Sequence, residues 1–200
     1  MEAAFCLGMS DRSCCFFGHR EIEIMDELVT RLRAEIESLI QNGVTRFLFG
    51  SRSEFDALCH NVVTELKQTY PAIIRVAYDT KSESSILEED REEAEKGFTK
   101  LFNRDIHLAG YEEVRKPDVV YVSGKASYIE RNQVMIDDSD ICIVYYDETY
   151  TPKQRQISHK SVGGIWTSPN SGTAIAYQYA NRKGRQIINH YCPHGTNSTN

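Results

Sequence analysis

The sequence lacks the short motifs that would assign it to several large classes of protein. It contains no GxxxxGK[ST] segment, which argues against a P-loop nucleotide hydrolase, and no GxGxxG fingerprint for dinucleotides. No CxxC pair occurs among its six cysteines, which argues against a zinc site or a disulfide framework. The histidines that could serve as metal ligands show no spacing typical of a metal site; they are His19, His60, His107 and His159.

The chain also lacks long apolar runs and an excess of basic residues. No apolar segment is long enough to span a bilayer, and the first residues have neither the basic region nor the apolar core of a secretory signal. The cysteines lie mostly within apolar runs, which is typical of buried, reduced thiols. We therefore expect a cytoplasmic protein with no membrane partner. The formal net charge of -6 further predicts no general nucleic-acid binding, although a local basic site stays possible.

The length and composition predict one domain. The 200 residues with 40% hydrophobic content are enough to fill a single core, and no internal repeat is visible. Residues 1–12 are predicted to be a flexible leader, residues 13–190 a single domain and residues 191–200 a polar tail.

Short apolar segments alternate with amphipathic ones along the chain. Strands are predicted at residues 14–17, 44–49, 72–78, 118–122, 141–146 and 185–189. Helices are predicted at residues 21–42, in a segment ending near residue 69, at 104–114, from 127 to the Asp138–Asp140 stop, and at 171–183. Residues 127 and 130 have the spacing of a capping box at a helix start. This alternation predicts an α/β fold with a mainly parallel central sheet flanked by helices.

Four polar segments follow the predicted strands or begin the helices, and the first two of them each have two interpretations. In residues 18–20, glycine permits close approach of a ligand and arginine can pair with phosphate, or the segment is only a tight turn. In residues 50–56, the helix start offers free N–H groups to an anion, or the serines only cap the helix. Residues 127–133 and 168–173 complete the set. The loop at residues 147–167 is either a lid or binding loop, or a disordered insertion.

The order of these segments resembles a known family. The RNxxM pattern at residues 131–135, the Ser139-Asp140 pair, the strand after it and the Ser-Gly-Thr at residues 171–173 together resemble the SLOG superfamily. CCFFGHR at residues 14–20 and FLFGSRSEFD at residues 47–56 resemble its YpsA-like members in particular. The superfamily also includes the DNA-processing DprA proteins and the Lonely-guy hydrolases. The resemblance implies a Rossmann-like, three-layer fold that binds nucleotides or nucleotide-derived molecules.

The resemblance and the four loops together predict a ligand site at the carboxyl edge of the sheet. A phosphate-bearing nucleoside or an ADP-ribose-like ligand suits its arginines, hydroxyls and helix N-termini, and no cofactor is expected. A homodimer or a higher homo-oligomer is one expected assembly. The predicted ligand-binding residues are Gly18, His19, Arg20, Gly50, Ser51, Arg52, Glu54, Asp56, Arg131, Asn132, Ser171, Gly172 and Thr173.

One departure from the family pattern bears on catalysis. The Lonely-guy hydrolases carry a glutamate in GGxGTxxE, and the matching position here is Ala176. Alanine cannot serve as a general base, so we expect a binding protein, either a sensor or a sequestering protein of stress signalling or of phage–host defence. A Lonely-guy-type hydrolase that uses another acid and an interaction scaffold with a vestigial pocket are the alternatives.

Overall fold

A computed structural model describes residues 12–50, 53–79, 110–118, 124–150 and 171–193. These residues form a six-stranded sheet in which every neighbouring pair of strands is parallel. The strands are β1 (Arg12–Gly18), β2 (Val44–Phe49), β3 (Ile74–Tyr78), β4 (Glu113–Arg115), β5 (Ile141–Tyr145) and β6 (Gln186–Asn189). The helices described are α1 (Asp26–Gln41), α2 (Glu54–Lys67), α3 (Gly124–Asp137) and α4 (Gly172–Arg182). The predicted Rossmann-like three-layer fold is confirmed.

Alternating side chains of the strands build two separate cores. Cys14 and Phe16 of β1 face the layer of α1 and α2, where the apolar stripe of α1 is buried. Cys15 and Phe17 face the opposite layer. There α3 contributes Met135, and α4 contributes small residues that pack against the same cluster. Because residues of a strand point to alternate faces, a one-residue shift of β1 would exchange the two cores.

The strand order is β4-β3-β2-β1-β5-β6. The chain therefore moves outward from β1 through β2, β3 and β4, and then returns to the other side of β1 to form β5 and β6. The direction of winding reverses between β1 and β5. In open α/β sheets, the loops after the two strands at such a reversal diverge and leave a crevice where ligands bind.

Two helix boundaries differ from the sequence-based prediction. The first helix begins at Asp26 rather than at residue 21, because residues 20–22 are held by α2: the Glu54 N–H donates to the Arg20 carbonyl at 3.0 Å. The third helix begins at Gly124, so the capping box predicted at residues 127 and 130 does not mark its start. Ser127 is fully buried within the helix.

The edge strand of the described residues was not predicted. Glu113 and Val114, which were expected at the end of a helix, form β4 together with Arg115, and Asp118, the first residue of the predicted 118–122 strand, lies outside any strand. Side chains fix this short edge strand, since Arg46 of β2 forms an ion pair with Glu113. The Asp79 N–H also donates to the Arg115 carbonyl at 2.9 Å. The other parts of the predicted 104–114 helix and 118–122 strand lie outside the described residues.

Candidate functional site

The loops after β1 and β5 meet at the reversal of the sheet. Gly18, the last residue of β1, pairs with Tyr145, the last residue of β5. The next N–H, that of His19, donates to the Tyr145 carbonyl at 3.3 Å. The two strands thus stay together to their carboxyl ends, and the polar segments that follow them begin at one place.

The start of α4 is tied to the end of β1. The Thr173 hydroxyl donates to the Gly18 carbonyl at 2.8 Å, and Thr173 is buried. Ser171 is the N-cap, and its hydroxyl accepts a hydrogen bond from the Ala174 N–H at 3.0 Å. The Ser-Gly-Thr segment therefore caps the helix and also positions its N-terminus beside the β1 loop.

Gly172, which lies between Ser171 and Thr173, takes no part in these contacts. It is exposed, and a Cβ built on it would meet no atom within 4 Å among the described residues. Packing of α4 against the described residues therefore gives no reason for glycine at this position. These residues leave the backbone at Gly172 uncovered, as an anion site at a helix start requires.

The loop after β1 is held on its other side by α2. Besides the bond from the Glu54 N–H to Arg20, the Glu54 carboxylate accepts the Ile22 N–H at 2.9 Å. A Cβ at Gly18 would lie 2.7 Å from Phe55, so only glycine allows this approach of strand and helix. Arg20 is exposed, and the loop that carries it is held by α2 and, through Gly18, by α4.

Asp56 bonds to the N-cap residue of α2 through both its N–H and its carboxylate. Its N–H donates to the Ser53 hydroxyl oxygen at 3.0 Å, and the Ser53 hydroxyl lies 3.1 Å from the Asp56 carboxylate. Asp56 is buried, and its negative charge adds to the effect of burial in raising the pKa of Tyr111 and of Cys59. The capping interpretation of Ser53 and Asp56 is thus confirmed, which leaves a ligand role for Asp56 as a prediction.

Arg131 lies against the end of β2. A Cβ at Gly50 would be 3.0 Å from Nη2 of Arg131, so the guanidinium covers the glycine backbone. The same group contacts the Asn132 amide oxygen through Nη2 at 3.1 Å and lies 5.2 Å from the centre of the Tyr128 ring. Only 4% of Arg131 is exposed. It occupies the third turn of α3, so the predicted first-turn position was wrong, because the helix begins three residues earlier than its cap spacing indicated.

His19 joins the β1 loop to the β5 loop. Its Nε2 accepts the Asp147 N–H at 2.9 Å, and its ring stacks on Tyr150 with centroids 3.9 Å apart. Burial lowers the pKa of His19, so the imidazole is neutral at pH 7. Because Nε2 accepts, the proton belongs on Nδ1. This buried nitrogen has no hydrogen-bond partner in the described part of the chain.

The position of the family glutamate faces the core rather than a crevice. Ala176 is 2% exposed and belongs to the apolar cluster that α4 forms with the sheet. A carboxylate there would be buried among apolar side chains unless the helix turned.

The structure therefore brings all four predicted loops together. Three contacts connect them: Arg20 with Glu54, Gly18 with Thr173, and Gly50 with Arg131. Ser51 and Arg52, which were also predicted as ligand-binding residues, lie outside the described residues, as do residues 151–170.

Sequence reasoning missed the residues that shape the β5 side of the crevice. Tyr150 covers His19, and the Asn189 side chain brackets the backbone of Tyr146 with two hydrogen bonds, of 3.0 and 2.9 Å. Tyr145 and Tyr146, at the end of the apolar segment that forms β5, were a signal of this aromatic region. The residues that they contact depend on the strand order, which no local pattern reveals.

Within the described ranges, no three His, Cys, Asp or Glu side chains are grouped to hold a metal ion. No helix in these ranges is both long and apolar enough to cross a membrane.

Comparisons with known proteins identify relatives of the chain. A family model for YpsA, described as the YspA SLOG family, matches residues 8–163. No curated protein matches the chain. Among solved structures, DNA processing protein A from Helicobacter pylori, studied for its single-stranded DNA binding mode, is similar with a TM-score of 0.47 and 14% identity. The match covers 88% of this chain and 64% of that one, so the chain spans less than two thirds of its length.

This last comparison contradicts the expectation of no general nucleic-acid binding, because that protein binds single-stranded DNA. The expectation rested on the net charge of the whole chain. Net charge averages over the entire surface, whereas a strand of nucleic acid responds to the local charge along one groove. The exclusion is therefore withdrawn.

Proposed function

Because this chain belongs to the YpsA family of SLOG proteins, we propose that it binds a nucleotide or nucleotide-derived ligand at the crevice between β1 and β5, as a sensor or sequestering protein. Membership of the SLOG family indicates a nucleotide-related function on a Rossmann-like fold. The observation that carries the proposal is the meeting of four polar loops at the reversal of the sheet. Open α/β sheets bind their ligands at this position.

The N-terminus of α4 is the proposed phosphate subsite. The helix has 11 residues, and its first turn presents backbone N–H groups beside an exposed glycine. The missing Cβ of Gly172 lets a phosphate oxygen approach the backbone closely. The Ser171 hydroxyl accepts the capping bond, and its own proton remains available to a ligand oxygen. Arg20, exposed on the neighbouring loop, supplies a positive charge.

Arg131 and Gly50 form the proposed second contact region. A guanidinium is a planar group that is always charged, and it can pair with anions through its edge and stack through its face. The Tyr128 ring and the Gly50 backbone fix its plane. We propose that Arg131 orients the ligand and that Asn132, whose amide oxygen contacts the guanidinium, holds the Arg131 side chain in place.

Binding without turnover is favoured by the residue that replaces the family glutamate. Ala176 carries no ionisable group, and it faces the apolar core. The Asp56 carboxylate, which lies near the end of β2, accepts a hydrogen bond from Ser53, the N-cap of α2. A hydrolase of the Lonely-guy type is therefore the less favoured alternative.

The test is to incubate the purified protein with AMP, ADP-ribose, cyclic nucleotides and a single-stranded oligonucleotide, and then to analyse bound and free ligand by mass spectrometry. Recovery of an unchanged small nucleotide with the protein supports the proposal. Release of free base supports the hydrolase. Retention of the oligonucleotide alone would indicate that the crevice binds nucleic acid instead of a small nucleotide. Retention of none of these ligands would favour the interaction scaffold.

The cytoplasmic location, the homo-oligomer and the place in stress signalling or phage–host defence stay predictions. Size-exclusion chromatography with light scattering measures the oligomeric state directly.

A further inference from the structure

Two cysteines from neighbouring strands face each other in the core beneath the crevice. Cys15 of β1 pairs in register with Cys142 of β5, and their sulfur atoms are 3.4 Å apart. Both side chains are fully buried. Cys14 and Cys59, the other buried cysteines of the described residues, lie in the opposite core.

The surroundings of the pair make the two thiols unequal. The hydrogen bond donated by the Cys15 thiol lowers the pKa of the Cys142 thiol, burial raises it, and the Ser139 hydroxyl and the Arg185 charge lower it again. Burial raises the pKa of Cys15 well above its ordinary value. Cys142 is therefore the sulfur that reaches the thiolate form first, and the thiolate is the form that reacts with oxidants.

A short turn with exposed residues on either side of Ser139 lies against the pair. Ser139, whose hydroxyl lies 3.2 Å from the Cys15 sulfur, is buried between two exposed aspartates, Asp138 and Asp140. This turn is fastened to β1, since the Ser13 hydroxyl donates to the Asp138 carbonyl and the Ser13 N–H donates to the Asp140 carboxylate at 2.8 Å each. Local opening of this turn would expose the pair to a small oxidant such as hydrogen peroxide.

We propose that Cys15 and Cys142 are a peroxide-oxidisable dithiol that closes into a disulfide between β1 and β5. In the first step the Cys142 thiolate attacks one oxygen of hydrogen peroxide, becomes a sulfenic acid and releases hydroxide, which takes up the thiol proton to form water. In the second step the Cys15 sulfur attacks the Cys142 sulfur, the disulfide forms, and the second water leaves with the Cys15 proton. Two thiols are oxidised and one peroxide is reduced to two waters.

The backbone geometry permits this bond. Adjacent strands lie about 4.7–4.9 Å apart, which is within the Cα separation of about 4.4–6.8 Å that disulfides tolerate. The sulfurs must approach from 3.4 Å to about 2.05 Å, a movement that rotation of the side chains supplies. The crosslink would lie three residues before the end of β1, directly below the loops of the crevice.

The test uses the full chain with Cys6 and the exposed Cys192 replaced by serine, which leaves only the four buried cysteines Cys14, Cys15, Cys59 and Cys142. This protein is treated with hydrogen peroxide, alkylated, digested without reduction and mapped by mass spectrometry. We expect a peptide pair joined through Cys15 and Cys142, lighter than the two thiol peptides by two hydrogen atoms and separated again by dithiothreitol.

Two variants in the same background provide the controls. Cys142→Ser should abolish the joined peptide, whereas Cys59→Ser should retain it. If Cys142→Ser does not give a native circular dichroism spectrum, the map of the parent protein still decides. Recovery of both Cys15 and Cys142 as alkylated thiols after peroxide and unfolding would overturn the proposal. So would a link through Cys14, or sulfinic acid at Cys142 without a link.

Discussion

At the scale of single residues, the structure shows what surrounds Arg131 of the RNxxM motif. The motif identified an arginine on a polar helix face, and the structure places its guanidinium on the backbone of Gly50 and beside the Tyr128 ring. Its near-complete burial means that removing it changes packing as well as charge.

We predict that Arg131→Ala weakens binding of the retained nucleotide by about 1.5–3 kcal/mol, the value of a hydrogen bond to a charged group. Isothermal titration calorimetry measures the affinity, and circular dichroism checks that the fold survives. Arg33→Ala, on an exposed face of α1, is the matched control and should bind as the parent does. An unfolded Arg131→Ala variant would instead assign this residue a structural role.

Gly172 permits a cleaner test than Arg131, because no described residue lies within 4 Å of a Cβ built on it. We predict that Gly172→Val leaves the free energy of unfolding within roughly 0.5 kcal/mol of the parent, as for most surface changes, and blocks ligand binding. The added branched side chain would occupy the path of the phosphate to the α4 N–H groups. Ser171→Ala should weaken binding less, since it removes one hydrogen bond among several.

The matched control for Gly172→Val is Asn181→Val, an exposed position near the other end of the same helix. Equal affinities for the two valine variants would exclude the N-terminus of α4 as the anion subsite.

At the scale of elements, α2 shows how a helix start can serve the site indirectly. Ser53 caps the helix, and Glu54, the first helical residue, holds the β1 loop by two hydrogen bonds. The position of the proposed ligand residues on the β1 loop therefore depends on the correct start of α2.

We predict that Ser53→Ala lowers the free energy of unfolding by about 1 kcal/mol, the typical value of an N-cap. Urea denaturation followed by circular dichroism measures this change. Ser38→Ala, at an exposed position inside α1, should be neutral or slightly stabilising, because alanine favours a helix interior. A loss as large at residue 38 as at residue 53 would contradict the capping role.

At the scale of the whole molecule, the structure predicts a dependence of stability on pH. Burial and the nearby Arg31 charge lower the pKa of His190 to about 4, whereas an unfolded chain titrates its histidines near about 6.5. Between these values the unfolded state binds more protons than the folded state does. The free energy of unfolding therefore falls as the pH falls from about 6.5 to about 4, by up to about 1.4 kcal/mol per pH unit.

The measurement is urea denaturation of the parent and of His190→Gln at several pH values across this window. The variant lacks the titrating imidazole, so its curve should be flatter than that of the parent. Parallel curves for the two proteins would show that His190 does not cause the slope. His19, whose pKa is lowered by burial as well, contributes to the slope that remains.

The sequence alone determined several local elements and the family. The apolar run predicted at residues 44–49 is β2 without change, since β-branched and aromatic residues between turns have few alternatives. The Ser-Gly-Thr segment was predicted to open a helix, and Ser171 is its cap, because this signal operates over a few neighbouring residues. The order of the motifs indicated the SLOG family, which the family model confirms.

The tertiary structure alone decided what depends on strand order and on contacts between distant segments. Helix α1 begins later than predicted because Glu54, which is distant in sequence, binds Ile22 in the segment before the helix. The edge strand β4 formed where Arg46 of β2 pairs with Glu113, and where Arg75 of β3 pairs with Glu112, the residue before β4. The stacking of His19 on Tyr150 and the meeting of Cys15 with Cys142 both require β1 and β5 to be neighbours. A local pattern records the preference of one segment, whereas these contacts come from the packing of several segments on one sheet, which the sequence of any one of them does not contain.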